Sequence, residues 1–155
     1  RMSRGLGDVY KRQLSSKEEE TPNGTILEGM HFLCAEDNEL NAEILTELLK
    51  IKGAECTICE NGEKVVKTFE QSVPGTYDMI LMDVQMPVMN GYDAARAIRR
   101  SLHKQAGTIP IIAMTANAFS EDIRHSLTAG MNAHIAKPVD MKLLITMINE
   151  LTETY

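Results

Sequence analysis

Five short apolar runs alternate along the chain with segments in which apolar residues recur every three or four positions. The runs lie at residues 30–35, 54–59, 79–83, 109–114 and 132–136. Continuous apolar runs of this length are typical of β-strands that are buried on both faces. The spacing between the runs, as at Leu45, Leu48 and Leu49, is typical of amphipathic α-helices. The pattern therefore predicts five strands, each followed by a helix.

Turn and capping residues set the approximate ends of the predicted helices. The helices are expected at about 40–53, 61–73, 92–102, 120–130 and 140–151. Ser120 is a good N-terminal cap and Gly130 a good C-terminal stop, while Pro74 cannot continue a helix. The helix boundaries therefore have a chemical basis that is independent of the apolar spacing.

Strands that are apolar throughout and separated by helices favour a parallel sheet with helices on both faces. We therefore predict an α/β, doubly wound domain with right-handed connections at residues 29–155. Residues 1–28 have no periodic apolar pattern and contain the charged run KEEE and the turn signal TPNG. We interpret this segment as a flexible leader or interdomain linker.

Composition excludes several classes of function. A net charge of −6 disfavours binding to nucleic acids or anionic membranes. No apolar stretch approaches the roughly 20 residues of a membrane span, so we expect no membrane contact by this domain. Three cysteines without framework spacing favour a reducing compartment, and we expect a cytoplasmic location even if a parent protein is membrane-anchored. Cys56 and Cys59 form a C-x-x-C, but residues three apart in a strand point to opposite faces, which disfavours a redox or metal role.

Polar residues follow four of the five apolar runs at the point where each strand ends. Glu36 and Asp37 follow the first run, Asp83 ends the third, Thr115 follows the fourth and Lys137 follows the fifth. In an open parallel sheet the carboxyl ends of the strands meet at one edge, where ligands bind. The sequence therefore predicts that three carboxylates, one hydroxyl and one ammonium group lie close together.

The chemistry of such a cluster can be inferred from its charges. Three neighbouring carboxylates repel one another, so they need a cation or raised pKa values. All-oxygen ligands favour a hard ion such as Mg²⁺. A carboxylate next to Mg²⁺ and a lysine can attack a phosphoryl group and form an acyl phosphate. Lys137 would then balance the charge of the transferred group, and the Thr115 hydroxyl could donate a hydrogen bond to it.

These residues and their contexts resemble the receiver domain of two-component signalling proteins, in the style of those attached to hybrid sensor histidine kinases. Glu36-Asp37 lies in the run AEDN, Asp83 starts DVQMPVMNG, Thr115 lies in MTA and Lys137 in AKP. The resemblance covers about residues 31–151. It implies a flavodoxin-like (βα)5 fold whose five parallel strands lie in the order 2-1-3-4-5, an order known for a chemotaxis receiver.

The resemblance also implies the function and the role of each site residue. A partner histidine kinase or histidine phosphotransfer domain would donate a phosphoryl group from a phosphohistidine to Asp83. Mg²⁺, with Mn²⁺ as an alternative, would be held by Glu36, Asp37, Asp83 and the backbone carbonyl of Gln85. Thr115 would move toward the new phosphoryl group and so change a protein-binding face.

Two further residues are implied to take part in the site. Pro138 would follow Lys137 through a cis peptide bond. The family usually has an aromatic switch residue three positions before the lysine, where this chain has His134. His134 is therefore expected either to fill a surface groove or to act as a pH-sensitive switch. This departure leaves the phosphorylation chemistry unaffected.

Three other functions compete with a phosphoacceptor domain. A phosphatase with an aspartate nucleophile often carries a second aspartate two positions later, where this chain has Gln85. A nucleotide-binding domain would need a glycine-rich turn after the first strand, where Glu36-Asp37 would repel phosphate. A degenerate receiver that serves only as an interaction module is disfavoured because every chemical position is filled. The sequence leaves open whether the domain is a free-standing regulator or part of a hybrid kinase, although the unpatterned leader favours the second.

The sequence also indicates two surface features. Apolar residues of the last helix, together with the first helix around Asn41, are expected to form a partner-binding surface. Arg96, Arg99 and Arg100 form a small basic stripe, which we interpret as a solvent-exposed helix face.

Overall fold

The computed structural model describes residues 27–116 and 120–154, which form five strands and five helices in strict alternation. The elements are β1 (His31–Ala35), α1 (Glu39–Ile51), β2 (Glu55–Cys59), α2 (Gly62–Gln71), β3 (Met79–Asp83), α3 (Gly91–Arg100), β4 (Ile111–Thr115), α4 (Ser120–Thr128), β5 (Ala133–Ala136) and α5 (Met141–Thr154). The predicted sequence of elements is therefore confirmed.

All five strands are parallel and form one sheet in the order β2-β1-β3-β4-β5. This order confirms the predicted flavodoxin-like, doubly wound α/β fold. The central strand β3 lies between β1 and β4, and all five of its residues are buried. Asp83, its last residue, is aligned with Met114 in β4. Asp83 is therefore positioned from both sides at the centre of the carboxyl edge of the sheet.

Three helices begin with the same capping chemistry. The side chains of Asn38, Asn61 and Asn90 each accept a hydrogen bond from a backbone N–H three residues later, at 2.8–2.9 Å. An asparagine cap satisfies a backbone donor that the helix itself leaves without a partner. Because Asn90 is the cap, α3 begins at Gly91, one residue before the predicted Tyr92.

The core consists of two apolar layers, one on each face of the sheet. On one face α2 and α3 insert side chains such as Phe69 and Ile98, both fully buried. On the other face α1 and α5 insert side chains such as Leu45, Leu49 and Leu144. Burial of each such side chain stabilises the fold by about 1.5–3 kcal/mol. Because helices pack on both of its faces, β3 is held in place, and so is the charged side chain at its end.

The packed structure begins before the predicted domain boundary. Residues 1–26 of the predicted leader lie outside the described residues. Leu27 is only 1% exposed, and its N–H donates to the carbonyl of Lys52 at 3.1 Å. None of the described helices has the length and apolar character needed to cross a membrane.

The structure corrects the interpretation of the basic stripe on α3. Arg96 pairs with Asp93 at the surface, as expected for a solvated face. Arg99 instead is half-buried, and its guanidinium donates hydrogen bonds to the carbonyls of Gly130 and Ala106 and to the side-chain oxygen of Asn132. Arg99 therefore ties α3 to the loops that precede β4 and β5.

The cysteines follow the predicted arrangement. Cys56 packs on the α1 side of the sheet, whereas Cys59 packs on the α2 side. Cys34, Cys56 and Cys59 are all free thiols. The C-x-x-C spacing therefore does not bring Cys56 and Cys59 together.

Candidate functional site

Asp83 is a nearly buried carboxylate at the end of β3, with 2% of its surface exposed. The chain turns sharply after it, and the N–H of Gly91 donates to the carbonyl of Val84 at 2.8 Å. A side chain at residue 91 would overlap the carbonyl oxygen of Asp83, so this close approach requires a glycine. The backbone N–H of Gln85 donates to Asp83 Oδ1 at 3.3 Å. These contacts fix the Asp83 carboxylate in place.

Two more carboxylates lie next to Asp83. Glu36 and Asp37 leave the end of β1, the neighbouring strand, and Glu36 is only 3% exposed whereas Asp37 is exposed. One oxygen from each of Glu36, Asp37 and Asp83 lies within 4.8 Å of the other two. The predicted convergence of these three side chains is therefore observed.

Lys137 brings the compensating charge from the end of β5. Its Nζ lies 3.2 Å from Asp83 Oδ2 and 3.5 Å from Glu36 Oε1. The Lys137 N–H donates to the carbonyl of Thr115 at 2.8 Å, which holds the lysine beside β4. The Lys137–Pro138 peptide bond is cis, as predicted. One ammonium group thus faces two nearly buried carboxylates.

Burial and the neighbouring charges of the site shift the pKa of Asp83. Burial and the negative charge of Glu36 raise the pKa of Asp83 from its ordinary 3.8 to about 6, although Lys137 acts in the opposite direction. Burial on its own lowers the pKa of Lys137, but the Asp83 and Glu36 carboxylates outweigh burial and raise that pKa above its usual value. With three carboxylates and one ammonium group, the cluster contains more negative charge than Lys137 alone neutralises.

This donor set fits a hard divalent cation. Three carboxylate oxygens within 4.8 Å of one another are ligands that Mg²⁺ prefers, and a single ammonium group faces them. Gln85, whose carbonyl is the fourth predicted ligand, lines the same cleft. A cation here would relieve the repulsion between the carboxylates.

The cluster opens into a cleft of about 240 Å³. Its walls include the predicted site residues Glu36, Asp37, Asp83, Gln85, Thr115 and Lys137. Thr115 is 6% exposed and ends β4 beside Asp83. The cleft is large enough for a phosphoryl group with several waters, and the structure brings all of these residues to it.

His134 lies in β5 and is half-buried, paired in register with Ala113. It is three residues before Lys137, on the strand next to the one that Thr115 ends. His134 does not line the cleft, so it would act only through the strands.

Asn41 is a cleft residue that the sequence analysis placed only on a partner surface. It lies in the first turn of α1, where its backbone N–H donates to the cap residue Asn38 at 2.9 Å. Besides the cleft, Asn41 lines an adjoining apolar groove between α1 and the end of β5. We call this the α1–β5 groove; it has a volume of about 330 Å³ and is lined by Glu36, Asn41, Ile44, Leu45, Leu48, Met114, Lys137, Pro138 and Val139. The spacing of apolar residues on α1 indicates one wall of the groove. The other wall, at Lys137, Pro138 and Val139, is distant in sequence and could not be predicted from that spacing.

Comparison with known proteins identifies the class. The family model for the response regulator receiver domain matches residues 32–149, so the chain belongs to this family. The resemblance drawn from the strand-end motifs is thereby confirmed.

Individual relatives and solved structures agree with this family assignment. The chain is 39% identical over 119 residues to hybrid signal transduction histidine kinase I of Dictyostelium discoideum, an alignment that covers 76% of this chain and 7% of that protein. It is 36% identical to the receiver domain of a sensor histidine kinase from Pseudomonas aeruginosa, whose structure has a magnesium ion in the active-site cleft; the TM-score is 0.70 with 79% and 97% coverage. It is 31% identical to the receiver domain of Saccharomyces cerevisiae Ssk1, crystallised with the histidine phosphotransfer protein Ypd1, with a TM-score of 0.70 and 79% and 88% coverage. The chain is a receiver domain of two-component signalling, and it spans only a small fraction of the length of its curated relatives.

Proposed function

We propose that Asp83 is the phosphoacceptor of this receiver domain and takes its phosphoryl group from a phosphohistidine of a histidine kinase or histidine phosphotransfer domain. The observation that carries the proposal is the position of Asp83: nearly buried at the centre of the carboxyl edge, beside two carboxylates and 3.2 Å from an ammonium group. Such a carboxylate is held ready for attack on an electrophile that arrives through the cleft.

In the transfer step an Asp83 carboxylate oxygen attacks phosphorus as the bond between phosphorus and the donor ring nitrogen breaks. The electron pair of that bond stays on the ring, which leaves as neutral imidazole when its second nitrogen carries a proton. Lys137 neutralises charge on the phosphoryl oxygens, since its Nζ already faces Asp83. Thr115 donates its hydroxyl to one of those oxygens.

The residues that would hold Mg²⁺ are Glu36, Asp37, Asp83 and the carbonyl of Gln85. Bound there, Mg²⁺ would neutralise the carboxylates and the phosphoryl oxygens and so permit two anions to react. Mn²⁺ prefers similar oxygen ligands and would serve in its place. The magnesium ion in the related Pseudomonas receiver supports this assignment.

After transfer the new charged group changes the edge of the sheet. Thr115 would be drawn toward the phosphoryl group and would move the end of β4. His134, on the next strand, would respond to that movement in the place where the family usually has an aromatic residue. This makes the domain a switch and not a turnover enzyme: Gln85 stands where an aspartate phosphatase has its general acid.

The α1–β5 groove is the proposed docking face for the donor domain. Leu40 and Ile44 on the outside of α1 are 64% and 49% exposed, and the groove opens directly into the cleft through Glu36, Asn41 and Lys137. The complex of the related Ssk1 receiver with the histidine phosphotransfer protein Ypd1 supports a partner of this kind. We also infer a cytoplasmic location for the domain, where its three free thiols would stay reduced.

The test is incubation with acetyl phosphate and Mg²⁺, followed by intact mass spectrometry. We expect the wild type to gain one phosphoryl group, and we expect no gain with EDTA or in Asp83→Asn. A phosphoryl group on Asp83→Asn at the wild-type level would place the acceptor elsewhere. Absence of any adduct on the wild type, with beryllofluoride also failing to bind, would favour an interaction module without phosphotransfer chemistry.

A further inference from the structure

Asn41 stands at the boundary between the place where the donor docks and the place where the phosphoryl group is received. Three residues line both the cleft and the α1–β5 groove: Glu36, Lys137 and Asn41. Lys137 pairs with both Glu36 and Asp83. Asn41 is the one neutral side chain of the three.

The hydrogen-bonding groups of Asn41 are available to a ligand. Its backbone N–H serves the helix cap, whereas its side-chain amide makes no hydrogen bond to any of the described residues. The side chain is exposed, which places it at the mouth of the cleft and not at its floor. The other amides of the cleft are less suited: the Asn38 oxygen is occupied by the cap, and Gln85 lies on the wall away from the groove.

The leaving ring of a phosphohistidine needs a partner at this mouth. In-line attack by Asp83 puts the ring on the side of phosphorus opposite to Asp83, toward solvent. The phosphoryl oxygens have Lys137 and Thr115 as donors. Lys137 has no lone pair to accept the N–H of the second ring nitrogen, and the Thr115 hydroxyl is directed toward the phosphoryl group. The carboxylates of Glu36 and Asp37 would be engaged at the cation site.

We propose that Asn41 is a positioning residue whose side-chain oxygen accepts a hydrogen bond from the second ring nitrogen of the donor phosphohistidine. This inference rests on the proposed function of Asp83. The hydrogen bond fixes the ring plane and keeps the proton on that nitrogen. The ring then leaves as neutral imidazole and not as an imidazolate anion, with the electron pair of the broken bond on the other nitrogen.

The experiment compares small phosphodonors with and without an imidazole ring. Monophosphoimidazole and acetyl phosphate are reacted with the full chain in Mg²⁺, and initial rates of Asp83 labelling are measured for wild type, Asn41→Ala, Asn41→Gln and the control Asn149→Ala. Asn149 is an exposed asparagine on α5, outside both the cleft and the groove. Thermal melting of each variant checks that it is folded.

We expect the ratio of the monophosphoimidazole rate to the acetyl phosphate rate to fall about ten-fold in Asn41→Ala, as for loss of one hydrogen bond to a charged group. The fall should grow above about pH 7, where a ring of this kind loses its proton in the absence of a hydrogen-bond acceptor. Asn41→Gln should recover part of the ratio, and Asn149→Ala should leave it unchanged.

Failure of the Asn41 inference can be distinguished from failure of the proposed function of Asp83. If both donors label the wild type, and Asn41→Ala has the same ratio of monophosphoimidazole rate to acetyl phosphate rate and the same pH profile, the role of Asn41 is overturned. The proposed function of Asp83 then remains intact. A wild type that neither donor labels would overturn both. An equal fall with both donors in Asn41→Ala would show that Asn41 acts on the acceptor site and not on the ring.

Discussion

Strand β3 has an aspartate at each end, and the two are used in opposite ways. Asp78, just before the strand, is exposed and accepts a hydrogen bond from the backbone N–H of His31 at 2.8 Å. Its own N–H donates to the carbonyl of His31 at 2.8 Å, so the residue joins the starts of β1 and β3. Asp83, at the other end, is 2% exposed and faces Glu36 and Lys137.

The contrast shows how the surroundings of a structural carboxylate differ from those of the carboxylate that we propose to be the phosphoacceptor. Asp78 meets a neutral backbone donor and stays in contact with water, so its charge is satisfied where it is. Asp83 meets a like charge in a buried place, and its pKa rises to about 6 because of burial and Glu36. The amino edge of the sheet is closed by neutral hydrogen bonds, whereas the carboxyl edge keeps an electrostatic imbalance that a cation and a phosphoryl group can resolve.

The largest expected difference between the two ends is in the rate of phosphorylation. Lys137→Met should lower the rate of labelling by acetyl phosphate about 100-fold or more, because the charge facing the phosphoryl oxygens is lost. Asp78→Asn should label within about two-fold of wild type, since one neutral hydrogen bond there is remote from the chemistry. Initial rates by intact mass check both. Near-normal labelling of Lys137→Met would mean that the ammonium group only balances the resting site.

The two aspartates should also differ in how they affect stability. The folded-state pKa of Asp83 is raised, so the folded state favours the protonated form, and its stability falls as pH rises from about 4 to about 6. In EDTA, Asp83→Asn should therefore be more stable than wild type by about 2 kcal/mol at pH 8, and nearly equal to it at pH 4. Urea denaturation at the two pH values measures this, with Asp78→Asn as the control. A variant less stable than wild type at pH 8 would show that the Lys137 contact outweighs burial and repulsion.

The smallest effect is expected at the amino edge. Asp78→Ala removes the acceptor for the His31 N–H and should lower the free energy of unfolding by about 1 kcal/mol. The loss should be the same at pH 6 and pH 8, because the hydrogen bond that is removed comes from a backbone N–H, which does not titrate. Denaturant midpoints at the two pH values provide the measurement. A loss that changes with pH, or a slower phosphorylation, would argue that the two ends of β3 are coupled.

Much of the fold and of the site could be predicted from the sequence. Apolar runs such as those of β3 and β4 indicate a parallel sheet that is covered on both faces, and parallel strands bring their carboxyl ends to one edge. This is why Glu36, Asp83 and Lys137, far apart in the chain, could be expected together before any distance was known. Strand limits were less accurate: β4 begins at Ile111, two residues after the predicted start, since Pro110 has no N–H to donate to a neighbouring strand.

Features that depend on loops or on distant walls could not be predicted. Arg99 has the same local pattern as its neighbour Arg96, but its acceptors are carbonyls on two loops whose positions the sequence does not reveal. Leu27 and the preceding Ile26 are not part of a strand or helix pattern of apolar residues, so the burial of Leu27 could not be predicted from a pattern. Asn41 becomes a candidate only when α1 and the end of β5 are seen to enclose one groove.

The direction of α5 has a consequence for how such a domain can be joined to others. Leu144 and Ile148 hold this helix against the sheet, and it leads from the carboxyl edge, where Asp140 precedes it, back toward the edge where the strands begin. Leu27 lies at that same edge, bonded to the end of α1. A fluorescent protein or an affinity tag that replaces residues 1–26 or follows α5 would therefore emerge on the side remote from Asp83. The domain can be tethered at both ends without obstructing the approach of a donor.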